Sequence, residues 1–266
     1  MNRHPVGYTS ILYDVADGVA TLTMNRPQKL NAFDGAMIDE ISRAISEVDE
    51  RDDIRVLILT GAGRAFSSGA DFTWFNFEEW QASIRSKARR TTHRFFEDLE
   101  YLEKPVIAAI NGTCAGGGLE LALSCDLRIA AAGARFGFPE VNAGIIPGSG
   151  GCSRLIHLVG VGRAKELVLT GEMISAEKAE AISLVNAVVP DDTLTGKVHE
   201  LAATLIRKGP LALGMAKHVM NAALGVDPHT GRILERLGTS VLLRTEDSRE
   251  GARAFKEKRA PRWKGK

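Results

Sequence analysis

Apolar residues follow two periods along this chain, and each period predicts a different kind of element. Apolar and polar residues alternate through Val19–Met24, after residues 11–13 and the turn dipeptide Asp17-Gly18. This arrangement predicts a β-hairpin. Continuous apolar runs, typical of strands covered on both faces, follow at residues 56–59, 105–110 and Leu127–Ala131. These strands need helices packed against them.

Apolar residues spaced three to four positions apart predict the helices between the strands. One such set is Met37, Ile38, Ile41, Ala44, Ile45 and Val48, and a second is Phe95, Phe96, Leu99 and Leu102. Beyond residue 160 the pattern becomes helical. Strand–helix alternation followed by helices predicts an α/β protein. We expect an α/β core at residues 1–207 and a helical C-terminal region at residues 208–266.

The composition is that of an ordinary globular protein. The 266 residues carry a formal net charge of +1, so no attraction to nucleic acid or to an anionic membrane is expected. No apolar run approaches the roughly 20 residues of a membrane span, and residues 1–10 lack the apolar segment of a secretory signal. Cys114, Cys125 and Cys152 have neither Cys-x-x-Cys nor zinc-type spacing. We expect reduced thiols, no metal and a cytoplasmic protein.

The residues best suited to chemistry lie at glycine-rich turns. Glu120 follows Gly116-Gly117-Gly118 at the predicted start of a helix, and Glu140 leads toward a second glycine-rich stretch. Glycines leave backbone N–H groups uncovered, and a helix start directs such donors at an anion. The loop at residues 66–71 ends a buried strand in the same way, so the Ala70 amide could face a ligand. Paired carboxylates with exposed amides suit proton transfer beside a carbonyl.

Each of these features alone also fits an ordinary structural role. Three successive glycines make a tight turn between a strand and a helix. A glutamate in the first turn of a helix stabilises the helix dipole. Glu140 would then be a solvated loop carboxylate, and residues 66–71 a plain surface loop. Their joint occurrence favours the chemical interpretation.

A series of short motifs occurs in a fixed order along the chain. They are Asn25-Arg26-Pro27 with Asn31-Ala32-Phe33, residues 66–71, 104–112, 116–122, 138–140, 144–148 and 169–171, and Glu250-Gly251 with Phe255 and residues 257–259. Any one of them is weak evidence, but their order and spacing together are highly specific. The chain resembles the crotonase, or enoyl-CoA hydratase/isomerase, superfamily almost from end to end, and is most similar to its two-glutamate hydratases.

The resemblance implies a crotonase-type α/β fold, which is a spiral of strand-strand-helix units with a C-terminal helical trimerisation region. It implies a homotrimer or a dimer of trimers. It also implies an acyl-CoA substrate, so coenzyme A is part of the substrate, with no tightly bound cofactor and no metal. The family's oxyanion amides map onto Ala70 and Gly117, and its hydratase glutamates onto Glu120 and Glu140.

The presence of both glutamates favours hydration of a 2-enoyl-CoA to a 3-hydroxyacyl-CoA, because isomerase and hydrolase members often lack one of them. By the same resemblance, Glu120 takes a proton from a shared water during attack at C3, and Glu140 delivers a proton to C2. The spacing of the two residues does not itself reveal which is the acid. Double-bond isomerisation and thioester hydrolysis on the same fold remain the alternatives.

Residues for the coenzyme A part of the substrate are also carried over by the resemblance. Lys29 matches a position beside the nucleotide, and Phe255 and Lys258 match a segment that often reaches the coenzyme from a neighbouring subunit. The substrate-binding set implied by the matched loops is completed by Ser68, Ala70, Asp71, Phe72 and Gly117. The alternatives are solvated lysines and a core phenylalanine.

Aromatic residues concentrate directly after the Ala70 loop. They are Phe72, Trp74, Phe75, Phe77 and Trp80. We interpret this cluster as a wall of the acyl pocket. Within it we assign Trp74 and Phe75 to the pocket, together with Phe138 from a later loop. The alternative is an amphipathic segment that buries its rings in the core or in a trimer interface.

Two other function classes fit parts of the sequence. Residues 112–116 spell Gly-x-Cys-x-Gly, which resembles a nucleophile elbow with Cys114 in place of serine. A Cys-nucleophile hydrolase would also need a downstream histidine and a carboxylate. A non-enzymatic scaffold protein on the same fold is the other alternative. The six histidines show no ligand-type spacing, so we interpret each of them, His93 included, as a surface or core residue.

Overall fold

A computed structural model describes residues 7–73 and 91–266 of the protein. The chain begins with an antiparallel hairpin of β1 (Ile11–Ala16) and β2 (Val19–Met24). Asp17 and Gly18 form the turn with φ angles of 50° and 79°. Positive φ at both central residues is the geometry that matches the twist of a hairpin. The predicted hairpin is confirmed.

Six strands form the larger sheet, in the order β1-β2-β3-β5-β7-β10. Its later strands are β3 (Val56–Gly61), β5 (Val106–Ile110), β7 (Leu127–Ala131) and β10 (Ala187–Val189). All pairings beyond the hairpin are parallel. Parallel strands covered on both faces are expected to be apolar throughout, and β5 is buried along its whole length. The apolar runs therefore predict these strands correctly.

Four very short strands form a second sheet, in the order β4-β6-β8-β9. They are β4 (Ala65–Ser67), β6 (Thr113–Ala115), β8 (Arg135–Gly137) and β9 (Ile174–Ser175). The sequence predicts a loop at the position of β4, because three residues are too few to show a period. Strands β3, β5 and β7 belong to the larger sheet, and the strand after each of them belongs to the smaller one. This is the expected spiral of strand-strand-helix units.

Helices follow these strand pairs and continue to the end of the chain. They are α1 (Gly35–Glu50), α2 (Thr91–Tyr101), α3 (Gly117–Ser124), α4 (Gly151–Thr170), α5 (Ala176–Ala181), α6 (Leu194–Ile206), α7 (Pro210–Ala223), α8 (Pro228–Leu242) and α9 (Glu246–Glu257). The side chain of Asp34 caps α1 by accepting from the Met37 amide at 2.9 Å. The apolar sides of α1, α2 and α3 lie in the main core, and α6 covers the opposite face of the larger sheet.

The last three helices form the predicted helical C-terminal region. Lys217 on α7 is buried and bonds to Asp126 at 2.9 Å and to the Leu99 carbonyl at 3.0 Å, which fixes α7 to the core. Large apolar side chains on this region are exposed, among them Met220, Leu237, Val241, Leu243 and Phe255. The boundary at residue 208 and the trimerisation role stay predictions. No helix within the described residues has the length and apolar character to cross a membrane.

Candidate active site

Adjacent strands of the smaller sheet bring two loops together. The loop after β4 carries Ala70, and α3 begins at Gly117 after β6. Phe33 pairs with the first loop, because its amide bonds to the Gly69 carbonyl at 2.7 Å and its carbonyl accepts from the Asp71 amide at 2.9 Å. The Ala70 amide between them therefore points away from Phe33. The first N–H of α3, at Gly117, has no acceptor inside its own helix.

The close approach of these loops depends on a glycine. Gly69 has a φ of +91°, and a Cβ there would lie 2.6 Å from the Gly117 nitrogen. A Cβ on Gly117 would in turn lie 3.6 Å from the Ala70 nitrogen. The Ala70 and Gly117 amides are therefore neighbours. Paired backbone donors of this kind are the components of an oxyanion hole.

An ion-pair network fixes the loop that carries Ala70. Arg26 lies 3.1 Å from the carboxylates of both Asp34 and Asp71, and it donates to the Ala32 carbonyl at 2.6 Å. Hydrogen bonds from Thr73 and the Arg26 charge hold the pKa of Asp71 below its usual range, against the effect of burial. The Asp71 side chain is thus buried and fully engaged, and it does not line the cavity described next. The predicted contact of Asp71 with the substrate stays a prediction.

A cavity of about 760 Å³ opens in front of the two amides. Its wall includes Ala70 and Gly117, both glutamates, and the predicted substrate-binding residues Ser68 and Phe72. Most of the remaining wall is apolar, with Phe33, Ile38, Phe95, Phe96, Ile145 and Ile146 among its members. Mostly apolar cavities with a few convergent polar groups are typical of small-molecule sites. Within the described residues, no group of three or more potential ligands is arranged to hold a metal ion.

Glu120 is buried, with 4% of its surface exposed. It lies in the first turn of α3, and its Oε1 accepts from the Ser149 amide at 2.6 Å and from the Gly151 amide at 2.9 Å. Gly151 is the first residue of α4, so the carboxylate also meets the positive end of that helix. Burial raises the pKa of Glu120, while these amides, the Arg154 charge and the Ser149 hydroxyl act in the opposite direction. The carboxylate is therefore held in one orientation.

Glu140 approaches the same cavity from the opposite loop. It lies in a 3-10 helix at Pro139–Ala143, and its Oε1 would be 3.1 Å from a Cβ on Gly116, so it packs directly over the glycine turn. Its Oε2 is buried and has no hydrogen-bond partner among the described residues. Burial raises the pKa of Glu140 to about 7, and the charge of Glu120 adds to this effect. A carboxyl group with this pKa can act as acid or base near neutral pH.

The chain is similar to known proteins over almost its whole length. A sequence profile of the enoyl-CoA hydratase/isomerase family matches residues 14–266. The chain belongs to this family. It is 39% identical over 251 residues to the short-chain-enoyl-CoA hydratase of Clostridium acetobutylicum, which covers 94% of this chain and 95% of that protein. The crotonyl-CoA hydratase of Syntrophomonas wolfei is 38% identical over 255 residues, or 96% and 97% of the two chains.

A solved structure of the family has the same fold. The crystal structure of enoyl-CoA hydratase from Bacillus anthracis superposes with a TM-score of 0.91, at 41% identity. The superposition covers 97% of this chain and 100% of that one. The predicted crotonase fold is thereby confirmed.

Several predicted site residues of this family member do not reach the cavity. Phe138 has no exposed surface, lies in the main core and does not line the described cavity, and its place in the acyl pocket stays a prediction. Lys29 and Lys258 are exposed on the surface, and Phe255 is 86% exposed on α9. Their contacts with coenzyme A stay predictions, two of which involve a neighbouring subunit. Trp74 and Phe75 lie outside the described residues.

The structure adds cavity residues that the sequence analysis missed. They are His93 on α2, Ser149 just before α4, and Asn142, Ile145 and Ile146, which precede Ser149 in the sequence. His93 Nδ1 lies 2.5 Å from Ser149 Oγ. These two residues are 56 positions apart, and no local pattern connects them. Only the packing of α2 beside the start of α4 brings them together.

Cys114 is placed poorly for a nucleophile. It is fully buried in β6, away from the cavity wall, and its Sγ donates to the Gly118 carbonyl at 3.5 Å. Burial raises the pKa of the thiol well above its ordinary value, and the thiolate is the nucleophilic form. These observations argue against the Cys-nucleophile hydrolase.

Replacing Cys114 with alanine is expected to leave turnover of an enoyl-CoA substrate within about twofold of the parent, because Cys114 does not line the cavity. Loss of a buried sulfur should lower the free energy of unfolding by about 1 kcal/mol. Steady-state kinetics and thermal unfolding of the same preparation measure both quantities. A folded variant without activity would instead favour the nucleophile.

Proposed function

We propose that this family member is a hydro-lyase that adds water reversibly to a 2-enoyl-CoA, giving a 3-hydroxyacyl-CoA. The observation that carries the proposal is the convergence of two carboxyl groups and two backbone amides on one cavity. The hydratase names of the relatives support the same reaction. An acyl-CoA substrate follows from the family.

In the proposed mechanism, the Ala70 and Gly117 amides bind the thioester oxygen. Attack at C3 shifts negative charge onto this oxygen as an enolate forms. Donors fixed in advance stabilise that charge without reorganising during the reaction. The two loops suit this task because Arg26 and the Gly69–Gly117 approach fix their positions.

The two glutamates manage the protons in this mechanism. Ionised Glu120 is held through Oε1 by two amides, and its other carboxylate oxygen orients a water molecule. Glu120 takes a proton from this water as the water oxygen bonds to C3. Protonated Glu140 delivers its proton to C2, so the carbon–carbon double bond is lost. The charge moves from Glu120 to Glu140, and the reverse transfer completes the cycle. Since Glu140 has a pKa of about 7, both of its forms are accessible at neutral pH.

The remaining parts of the proposal concern the coenzyme and the assembly. We assign Ser68 and Phe72 on the cavity wall to substrate binding, and Lys29 to the phosphate-bearing end of coenzyme A. Phe255 and Lys258 would contact the coenzyme of a neighbouring copy in a homotrimer or a dimer of trimers. The exposed apolar side chains of the C-terminal helices suit such an assembly. No tightly bound cofactor is required, and we place the enzyme in the cytoplasm.

The raised pKa of Glu140 predicts the same pH profile for the two directions of the reaction. Hydration needs Glu120 ionised and Glu140 protonated, so kcat/KM for the enoyl-CoA should fall as pH rises through about 7. Dehydration also needs one proton on the pair of glutamates, and the equilibrium of water addition does not depend on pH, so kcat/KM for the 3-hydroxyacyl-CoA should fall over the same range. Initial rates in both directions between pH 5 and pH 9 measure the profiles. A kcat/KM that stays constant through pH 7 would contradict this role of Glu140.

A product assay tests the proposed function directly. Crotonyl-CoA and a panel of branched and aryl enoyl-CoAs are incubated with the enzyme. Loss of the absorbance of the conjugated thioester, with 3-hydroxyacyl-CoA as product, is the expected result. Release of free coenzyme A would indicate thioester hydrolysis, and a shifted double bond would indicate isomerisation. Either outcome without hydration would overturn the proposal.

A further inference from the structure

A single residue, Ser149, connects His93 to the Glu120 carboxylate through hydrogen bonds. The His93 ring lines the cavity, and Nδ1 bonds to Ser149 Oγ at 2.5 Å. The amide of the same serine donates to Glu120 Oε1 at 2.6 Å, and the serine hydroxyl helps to lower the pKa of that carboxyl. Ser149 therefore connects His93 to Glu120.

Helix α2 also reaches Ser149 through a second set of contacts, which pass through Arg154 on α4. Arg154 donates to the Ser149 carbonyl at 2.7 Å and binds the Glu100 carboxylate on α2 at 2.6 Å and 2.9 Å. Glu100 follows His93 by seven positions, which places both on one face of α2. Helix α2 thus holds Ser149 through its hydroxyl and through its carbonyl.

We propose that His93 is a positioning residue for the hydration reaction: through Ser149 it holds the turn whose amides orient the Glu120 carboxylate. The inference rests on the proposed function, because it gives His93 a role only through Glu120. A serine hydroxyl that donates toward the carboxylate still accepts one hydrogen bond, and Nδ1–H of His93 supplies it. Removing this bond frees the serine rotamer and loosens the turn beside the reacting groups.

The expected effect is on kcat rather than on KM. The contact of His93 with Ser149 leads to Glu120, whereas in the proposed mechanism the thioester oxygen is bound by Ala70 and Gly117. A small displacement of a reacting group costs up to about 10²-fold in rate. We therefore expect a kcat loss of about 10-fold to 10²-fold in His93→Phe, which keeps the bulk of the ring without its nitrogens. His93→Asn places an amide nitrogen near the Nδ1 position and should recover most of the loss.

A double-mutant cycle tests whether His93 acts through Ser149. The variants are His93→Phe, His93→Asn, Ser149→Ala and the double variant His93→Phe/Ser149→Ala, with Arg94→Ala on the exposed side of α2 as the control. kcat and KM are measured for crotonyl-CoA, and folding is checked by thermal unfolding. The double variant should lose no more kcat than the worse single variant, because both remove one pathway. The control should match the parent.

Several results would overturn the inference while leaving the proposed function intact. In each case the parent hydrates crotonyl-CoA. The inference fails if His93→Phe has the same kcat as the parent, or if the kcat losses of the two single variants multiply in the double variant. It also fails if His93→Asn is as slow as His93→Phe. If His93→Phe does not fold, His93→Ala and the double variant His93→Ala/Ser149→Ala replace it in the same cycle, with the same expected and contradicting results. A folded parent that hydrates none of the enoyl-CoA panel would instead remove the proposed function, and this inference with it.

Discussion

Replacing Glu140 with glutamine is expected to lower the rate of hydration by about 10²-fold to 10⁴-fold, the usual contribution of a positioned acid or base. Glutamine keeps the shape of the side chain but cannot release or accept the proton that C2 requires. The substitution breaks no hydrogen bond of Glu140 Oε2 within the described residues, because that atom is buried without a partner there. Single-turnover and steady-state kinetics on crotonyl-CoA measure the loss, and calorimetry measures thioester binding.

Two matched variants make this result specific. Glu120→Gln retains an oxygen to accept from Ser149 and Gly151, so it should bind the thioester and lose turnover to a similar extent. Glu177→Gln is the control, because Glu177 also lies in the first turn of a helix but is exposed and does not line the cavity. Near-parent turnover in Glu140→Gln would remove this residue from the chemistry. Equal losses in all three variants would indicate a general effect of charge.

Adding a single methyl group at Gly69 should be nearly as damaging. In Gly69→Ala, the new Cβ would lie 2.6 Å from the Gly117 nitrogen, and the φ of +91° is unfavourable for alanine. Relief of this clash must separate the two loops and remove one oxyanion donor, which typically costs about 10²-fold to 10³-fold in rate. Backbone strain should also lower the free energy of unfolding by about 1–3 kcal/mol. Kinetics and chemical denaturation measure the two effects.

The matched control for this variant is Gly196→Ala. Gly196 lies inside α6, and a Cβ there meets nothing within 4 Å. Alanine should therefore stabilise that helix by about 0.5–1 kcal/mol and leave kcat unchanged. If Gly69→Ala keeps the kcat of the parent, the Gly117 amide cannot be an essential donor.

Local sequence was sufficient for the elements with strong periodicity. The hairpin turn at Asp17-Gly18, the apolar run of β5 and the six apolar positions of α1 each determine their own structure. The placement of Glu120 in the first turn of a helix also followed from sequence, because glycines and a predicted strand precede it. Its burial did not follow, since the amides that bind it belong to residues 149 and 151.

Features that depend on tertiary contacts were beyond the sequence analysis. Strand β4 has only three residues, and its pairing with β6 is what creates it. Phe138 directly precedes the loop that carries Glu140, yet its ring points into the core and Glu140 points to the cavity. His93 was indistinguishable from a surface or core histidine, because its partner lies 56 positions away.

The partners of Glu120 have a consequence for how the protein becomes active during synthesis. A ribosome delivers Ala70, Gly117 and Glu120 well before Ser149 and Gly151, whose amides hold the carboxylate. During synthesis the N-terminal part of a chain leaves the ribosome first and can begin to fold first. A nascent chain that ends before α4 would therefore possess both backbone donors, but its Glu120 carboxylate would lack the amides that hold it. Catalytic competence should appear abruptly, only once the start of α4 has emerged and docked.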